Sequence, residues 1–145
     1  MTIAPIPEEV RGKARILVVE DNLLNQKLDA FLLSQWGLSF DICDNAVSAL
    51  SRLKEEQYSL VLMDIRLPAI NGLEAAGIIR NDLGLNVPVI GITAYPTDDE
   101  KQRCLQAGMN SYLSKPVDEG ELFSAINSFL TPIEKLQETT GEELG

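Results

Sequence analysis

"YSLVLMDIRLP", residues 58–68, decides how the rest of the chain is read. Tyr58-Ser59-Leu60-Val61-Leu62-Met63 reads as a strand bound for a hydrophobic core. It delivers an aspartate, Asp64, with no turn signal between them. Outward from this stretch the same pattern repeats. "ARILVVE" (14–20), "SFDIC" (39–43) and "VPVIGITA" (87–94) read as strands, and "SYLSKP" (111–116) as a fifth. Between them lie helical segments. Residues 23–37 carry Leu24, Leu28, Phe31 and Leu32 at the spacing of an amphipathic helix closed by Gly37. Asn45 caps a helix over 46–56, and 73–82 reads as a short helix. Thr97-Asp98-Asp99-Glu100 has the form of a capping box that opens a helix through Ala107. Asp118 begins the last, with Leu122, Phe123, Ile126, Phe129 and Leu130 inside. Five strands alternating with five helices over short loops imply right-handed crossovers and an α/β fold. A doubly wound parallel sheet is covered by helices on both faces, in three layers.

Composition narrows the chemistry. The chain has 145 residues, enough for about one domain. The folded part spans 14–132, between a Pro- and Glu-bearing linker (1–13) and a polar tail (133–145). Histidine is absent, which removes Ser-His-Asp and Cys-His catalysis, His-ligated zinc and any role as a phosphohistidine carrier. A net charge of −10 opposes nucleic-acid binding. Cys43 and Cys104 are isolated and read as buried thiols. No apolar run is long enough to span a membrane and no secretory leader is visible, so a cytoplasmic domain without membrane contact is expected.

In such a fold, sites form beyond the carboxyl ends of the strands. There the sequence places Glu20-Asp21, Asp64, Thr93 and Lys115-Pro116. One charged strand end is ordinary solvation, whereas three carboxylates, a hydroxyl and a lysine on one rim are a site. Clustered carboxylates repel, and a hard divalent cation, Mg²⁺ or Mn²⁺, is the remedy that acids without His or Cys select. Such an ion, with Lys115 and the Thr93 hydroxyl, suits a phosphoryl ligand, and a carboxylate can be its acceptor.

"ILVVEDN", "LVLMDIRLPAINGLEA", "VIGITA" and "GMNSYLSKP", in this order and spacing, resemble the receiver domain of two-component response regulators over about residues 14–131. The resemblance implies a flavodoxin-like sheet of order 2-1-3-4-5. It implies that Asp64 accepts a phosphoryl group from a sensor histidine kinase or histidine phosphotransfer protein. Glu20, Asp21, Asp64 and the backbone carbonyl of Arg66 would hold Mg²⁺. Thr93 matches the switch hydroxyl, Lys115 the phosphate-pairing lysine and Tyr112 the aromatic that turns inward with Thr93, with Tyr112 as a plain core aromatic the alternative. Pro116 would follow a cis peptide bond, and Gly72 would give backbone freedom beside the acceptor. Output would pass through the fourth helix, fifth strand and fifth helix. The domain would catalyse only its own phosphorylation and slow dephosphorylation, as a monomer or weak dimer.

"DNLLNQ" (21–26) is similar to receivers attached to hybrid sensor kinases, which favours such a module over a stand-alone regulator. The short tail suits either reading and is too short for a DNA-binding output domain. Arg66 and Tyr95 are bulky neighbours of Asp64 and Thr93, placed to cover an acyl phosphate. Gly91 suggests close helix packing. Three rivals are weighed: an interaction module that has kept the fold without the chemistry, a Mg²⁺-dependent phosphatase, and a flavodoxin, whose phosphate Glu20-Asp21-Asn22 would repel. The second wants an acid two residues after Asp64, where Arg66 stands.

Overall fold

The computed structural model describes Glu8 and residues 12–130; the rest of the expected linker and the whole of the polar tail lie outside the described residues. The strands are β1 (Arg15–Val19), β2 (Ser39–Cys43), β3 (Leu60–Asp64), β4 (Val89–Thr93) and β5 (Ser111–Ser114). The helices are α1 (Leu23–Gln35), α2 (Ala46–Glu55), α3 (Gly72–Asn81), α4 (Asp98–Gln106) and α5 (Glu119–Leu130). All strand pairings are parallel, in the order β2-β1-β3-β4-β5. The fold class and strand order are those the sequence implied; β2 has the expected bounds, β3 starts two residues later and runs on to Asp64, and the other strands are a residue or two shorter at their ends.

Alternation along each strand divides the core in two. Leu17, Val19, Val61 and Met63 point to one face, where α2, α3 and Cys104 of α4 cover them. Ile16, Val18, Leu60, Leu62, Ile90 and Ile92 point to the other, covered by α1 and α5 through Leu32, Leu33, Leu122, Phe123 and Ile126. Each fully buried Leu or Ile contributes roughly 1.5–3 kcal/mol. Both cysteines are buried and unpaired, and Trp36 packs edge-on against Phe123 at 5.1 Å.

The register aligns the strand ends. Val19 pairs with Met63, Asp64 with Ile92 and Thr93 with Ser114. Glu20, Asp64, Thr93 and Lys115 therefore emerge along one rim, at the crossing between β1 and β3 where the winding reverses.

Three expectations change. Most of the apolar stripe assigned to α1 does not face the sheet: Leu24, Leu28 and Phe31 are 74%, 48% and 64% exposed, and of the four only Leu32 is buried, with Leu33 beside it. The inward line of α1 instead runs through Gln26 and Asp29, because the first turns of this helix overlook a polar rim rather than the core. The Gln26 amide donates to the Glu20 carbonyl at 2.6 Å, which fixes that rotation. Gly72 is needed for close approach, not freedom: a Cβ there would sit 2.3 Å from the Asp64 carbonyl oxygen. At Gly91 a Cβ would meet the Met109 sulfur at 2.5 Å, so the neighbour is a loop thioether before β5 and not a helix.

Candidate functional site

Glu20 directly follows β1 and Asp64 closes β3, so each carboxylate is fixed by the strand behind it. Both are buried, at 5% and 3% exposure, while Asp21 is exposed. One oxygen from each of the three lies within 4.8 Å of the others, and they are the one such acidic group among the described residues. Lys115 enters from β5, its Nζ 3.0 Å from Asp64 Oδ2 and 3.4 Å from Glu20 Oε1. The Lys115–Pro116 peptide is cis, and the Lys115 N–H donates to the Thr93 carbonyl at 2.7 Å.

Burial, with Asp64 beside it, pushes the Glu20 carboxyl up to about 7, against the opposing Asn22 N–H. Burial also raises Asp29, on the facing side of α1, to about 6. Lys115 is held above the ordinary lysine value: burial opposes its charge, but Asp64 and Glu20 outweigh that. One ammonium thus faces a surplus of carboxylates. The donor set, oxygen only and partly desolvated, fits a small hard cation held by Glu20, Asp21 and Asp64. The cleft above these groups is lined by Asn25, Leu28, Asp29, Asp64, Lys115 and Pro116, among others.

The other flank of Asp64 is built differently. The Arg66 N–H donates to Asp64 Oδ1 at 3.0 Å, and its guanidinium donates to Glu100 Oε2 at 3.1 Å while stacking 4.8 Å from the Tyr95 ring centre. Thr93 is fully buried. Its hydroxyl donates to Glu100 Oε1 at 3.1 Å and accepts from the Tyr95 N–H at 2.9 Å. Tyr112, partly buried against the core, lies under the Lys101 ammonium at 5.5 Å.

The fold therefore brings Glu20, Asp21, Asp64 and Lys115 into one cluster, with Thr93 tied to the same rim through Glu100 and Arg66. Tyr112 stands behind them on β5, next to Gly91 in register. Glu100 and Asp29 escaped the sequence reading. Glu100 was hidden by the capping pattern, of which only half forms: the Thr97 hydroxyl accepts from the Glu100 N–H at 3.1 Å, but the Glu100 carboxylate turns to Thr93 and Arg66. The full capping box belongs to α3, between Asn71 and Glu74. Asp29 carried a usable signal, a single acid one turn beyond Gln26 in a helix that starts at the acidic rim.

Comparison with known proteins places these features among relatives. The response regulator receiver domain family matches residues 16–127. The chain is 34% identical over 121 residues to the osmosensing histidine protein kinase SLN1 of Saccharomyces cerevisiae, covering 79% of this chain and 10% of that kinase. Across three matched histidine kinases it spans 10%, 16% and 14% of their length. Among solved structures, it resembles the receiver domain of sensor histidine kinase PA1611 from Pseudomonas aeruginosa PAO1, which has a magnesium ion coordinated in its active site cleft. The TM-score is 0.74 and the identity 35%, over 81% of this chain and 97% of that one. It also resembles the co-crystal structure of the Saccharomyces cerevisiae histidine phosphotransfer signaling protein Ypd1 and the receiver domain of its downstream response regulator Ssk1. There the TM-score is 0.76 and the identity 31%, over 81% of this chain and 88% of that one.

Proposed function

Since the chain belongs to the response regulator receiver domain family, we propose that it takes a phosphoryl group from a partner's phosphohistidine onto Asp64. The observation that carries this reading is the buried Asp64 carboxylate held at the sheet rim between Lys115 and two further acids. In the transfer, an Asp64 carboxylate oxygen attacks phosphorus in line with the leaving imidazole nitrogen. The N–P bond breaks, an O–P bond forms, and the product is an acyl phosphate on Asp64.

This chain's residues do the positioning. Lys115, already within 3.0 Å of the acceptor, pairs with an incoming phosphoryl oxygen. Glu20 and Asp21, with Asp64 and the Arg66 carbonyl, hold Mg²⁺ or Mn²⁺, which would neutralise charge on the transferring group. The Thr93 hydroxyl bonds the bound phosphoryl group, and its inward move vacates the space Tyr112 takes up. That rearranges the surface of α4, β5 and α5 for protein contacts. The donor is a sensor histidine kinase or a histidine phosphotransfer protein. The exposed Leu24, Leu28 and Phe31 of α1 give such a donor an apolar surface to rest on, with Leu28 at the edge of the cleft. We read the domain as 14–132, in the cytoplasm and as a module of a hybrid kinase in preference to a free regulator. It has no turnover on an external substrate.

Incubation with Mg²⁺ and a small phosphodonor such as acetyl phosphate tests the reading. The parent protein gains one phosphoryl group by mass spectrometry, lost on Asp64→Asn substitution. A parent that stays unmodified, with unchanged amide spectra in beryllofluoride and Mg²⁺, would leave a phosphorylation-independent interaction module as the function.

A further inference from the structure

Thr93 has only one proton to give, and in this structure it is already given. The hydroxyl oxygen accepts from the Tyr95 N–H at 2.9 Å and the hydroxyl hydrogen goes to Glu100 Oε1 at 3.1 Å. A bond from Thr93 to a phosphoryl oxygen on Asp64 therefore excludes the bond to Glu100, because a hydroxyl has one donor. Glu100 is itself fixed. It is 8% exposed, its N–H is capped by Thr97, and its second oxygen takes the Arg66 guanidinium, which is stacked on Tyr95. The four residues close a ring around the acceptor's flank. Tyr95 holds Thr93, Thr93 holds Glu100, Glu100 holds Arg66, and Arg66 lies over Tyr95.

We propose that Glu100 is the positioning residue of the switch: it holds the Thr93 hydroxyl in the unphosphorylated arrangement and sets how hard a phosphoryl group must pull to release it. This rests on the reading of Asp64 as acceptor and goes beyond it, since it assigns the resting partner of Thr93. The latch does not strand a charge when it opens, because Arg66 stays on the other Glu100 oxygen. Release forfeits one charge-assisted hydrogen bond. The equilibrium between the two Thr93 positions then depends on the difference between the two acceptors, Glu100 and the phosphoryl oxygens. Deleting Glu100 removes one side of that difference without touching Asp64, Lys115 or the acidic pair.

The test uses the full chain with beryllofluoride and Mg²⁺, a probe that mimics the acyl phosphate, titrated by the backbone amide signals of Thr93 and Tyr112. Glu100→Ala is expected to tighten the apparent affinity about tenfold, the scale of one hydrogen bond to a charged group. Its ligand-free Thr93 and Tyr112 signals should lie partway to the bound positions. Glu100→Gln keeps an oxygen acceptor of the same shape, so it should give a smaller gain and serves if the alanine variant does not fold. In a Thr93→Ala background the Glu100→Ala gain should vanish, because the coupling runs through the hydroxyl. Equal affinities of parent and both Glu100 variants overturn the latch. So does a gain that persists without the Thr93 hydroxyl, which would make Glu100 a mere negative charge near an anion. A parent that binds no beryllofluoride overturns the acceptor reading, and the latch with it, whereas a parent that binds and a silent Glu100 overturn the latch alone.

Discussion

Asp64 has two flanks, and they solve the same problem in opposite ways. On the α1 side Glu20, Asp21 and Asp64 cluster with Asp29 nearby, and a single ammonium, Lys115, pairs with Glu20 and Asp64. On the α4 side one guanidinium meets one carboxylate, with a hydroxyl and an aromatic ring completing the contacts. The first flank carries surplus charge at low exposure, a state that isolated burial makes costly, so it calls for a ligand. The second is closed on itself and calls for none. In the proposed reading, binding belongs to the flank left unbalanced and regulation to the flank that is balanced, because only a satisfied network must be broken before it moves.

The largest break in this contrast comes from the acidic flank. Glu20→Gln removes one carboxylate of the proposed cation site and is expected to weaken Mg²⁺ binding by more than about a hundredfold, since even outer partners of metal ligands carry 10- to 100-fold. Isothermal titration of Mg²⁺ into the two proteins measures it. Equal affinity would mean that the surplus charge is not a cation site.

Next in size is pH. Glu20 has its carboxyl raised from an ordinary 4.5 to about 7, so between those values the folded state holds more protons than the unfolded. Metal-free stability should therefore fall as pH rises through about 4.5–7. Urea denaturation across that range reads the slope, and saturating Mg²⁺ should flatten it by favouring the ionised form. A slope of the opposite sign would show that Lys115 has already balanced the flank.

The smallest effect on stability belongs to the closed flank. Arg66 is 58% exposed at its side chain, so Arg66→Ala is expected to cost under about 1 kcal/mol, the scale of a solvent-screened ion pair and a surface cation-π contact. Its consequence should be kinetic. Arg66 and Tyr95 stack on each other beside Asp64, and with Asp64 as the proposed acceptor, removing either should shorten the acyl phosphate lifetime, measured by decay of the labelled protein. Unchanged half-lives in both variants would limit this flank to the switch.

The acidic flank was legible in the sequence and the closed flank was only half so. Glu20 and Asp64 follow buried strands covalently, and a strand of fixed period and direction delivers the next residue to the rim wherever its helices lie. Thr93 and Lys115 came the same way, one strand further on each. Glu100 is on a helix, 34 residues from Arg66, and its sequence neighbours offered a local use for it as the end of a capping box. The competition between that local bond and a distant one is settled by burial, since Glu100 turned inward meets Thr93 and Arg66 in a dry place where hydrogen bonds count for more.

The stripe of α1 teaches the same limit from the apolar side. Leu24, Leu28 and Phe31 have helical spacing, and spacing correctly gave a helix, but the direction in which a helix is rotated depends on what it packs against. Here its first turns meet the polar rim, so Gln26 and Asp29 turn in and Leu24, Leu28 and Phe31 turn out.

By itself the sequence determined the alternation of strand and helix, the parallel doubly wound sheet and the acids at its rim, because these follow from period and covalent adjacency. Tertiary structure alone decided the rotation of α1, the turning of Glu100 from its cap to Thr93, and the close passage of Gly72 over the Asp64 carbonyl. Each of these depends on which surfaces meet, and that is set by the packing of segments far apart in the chain.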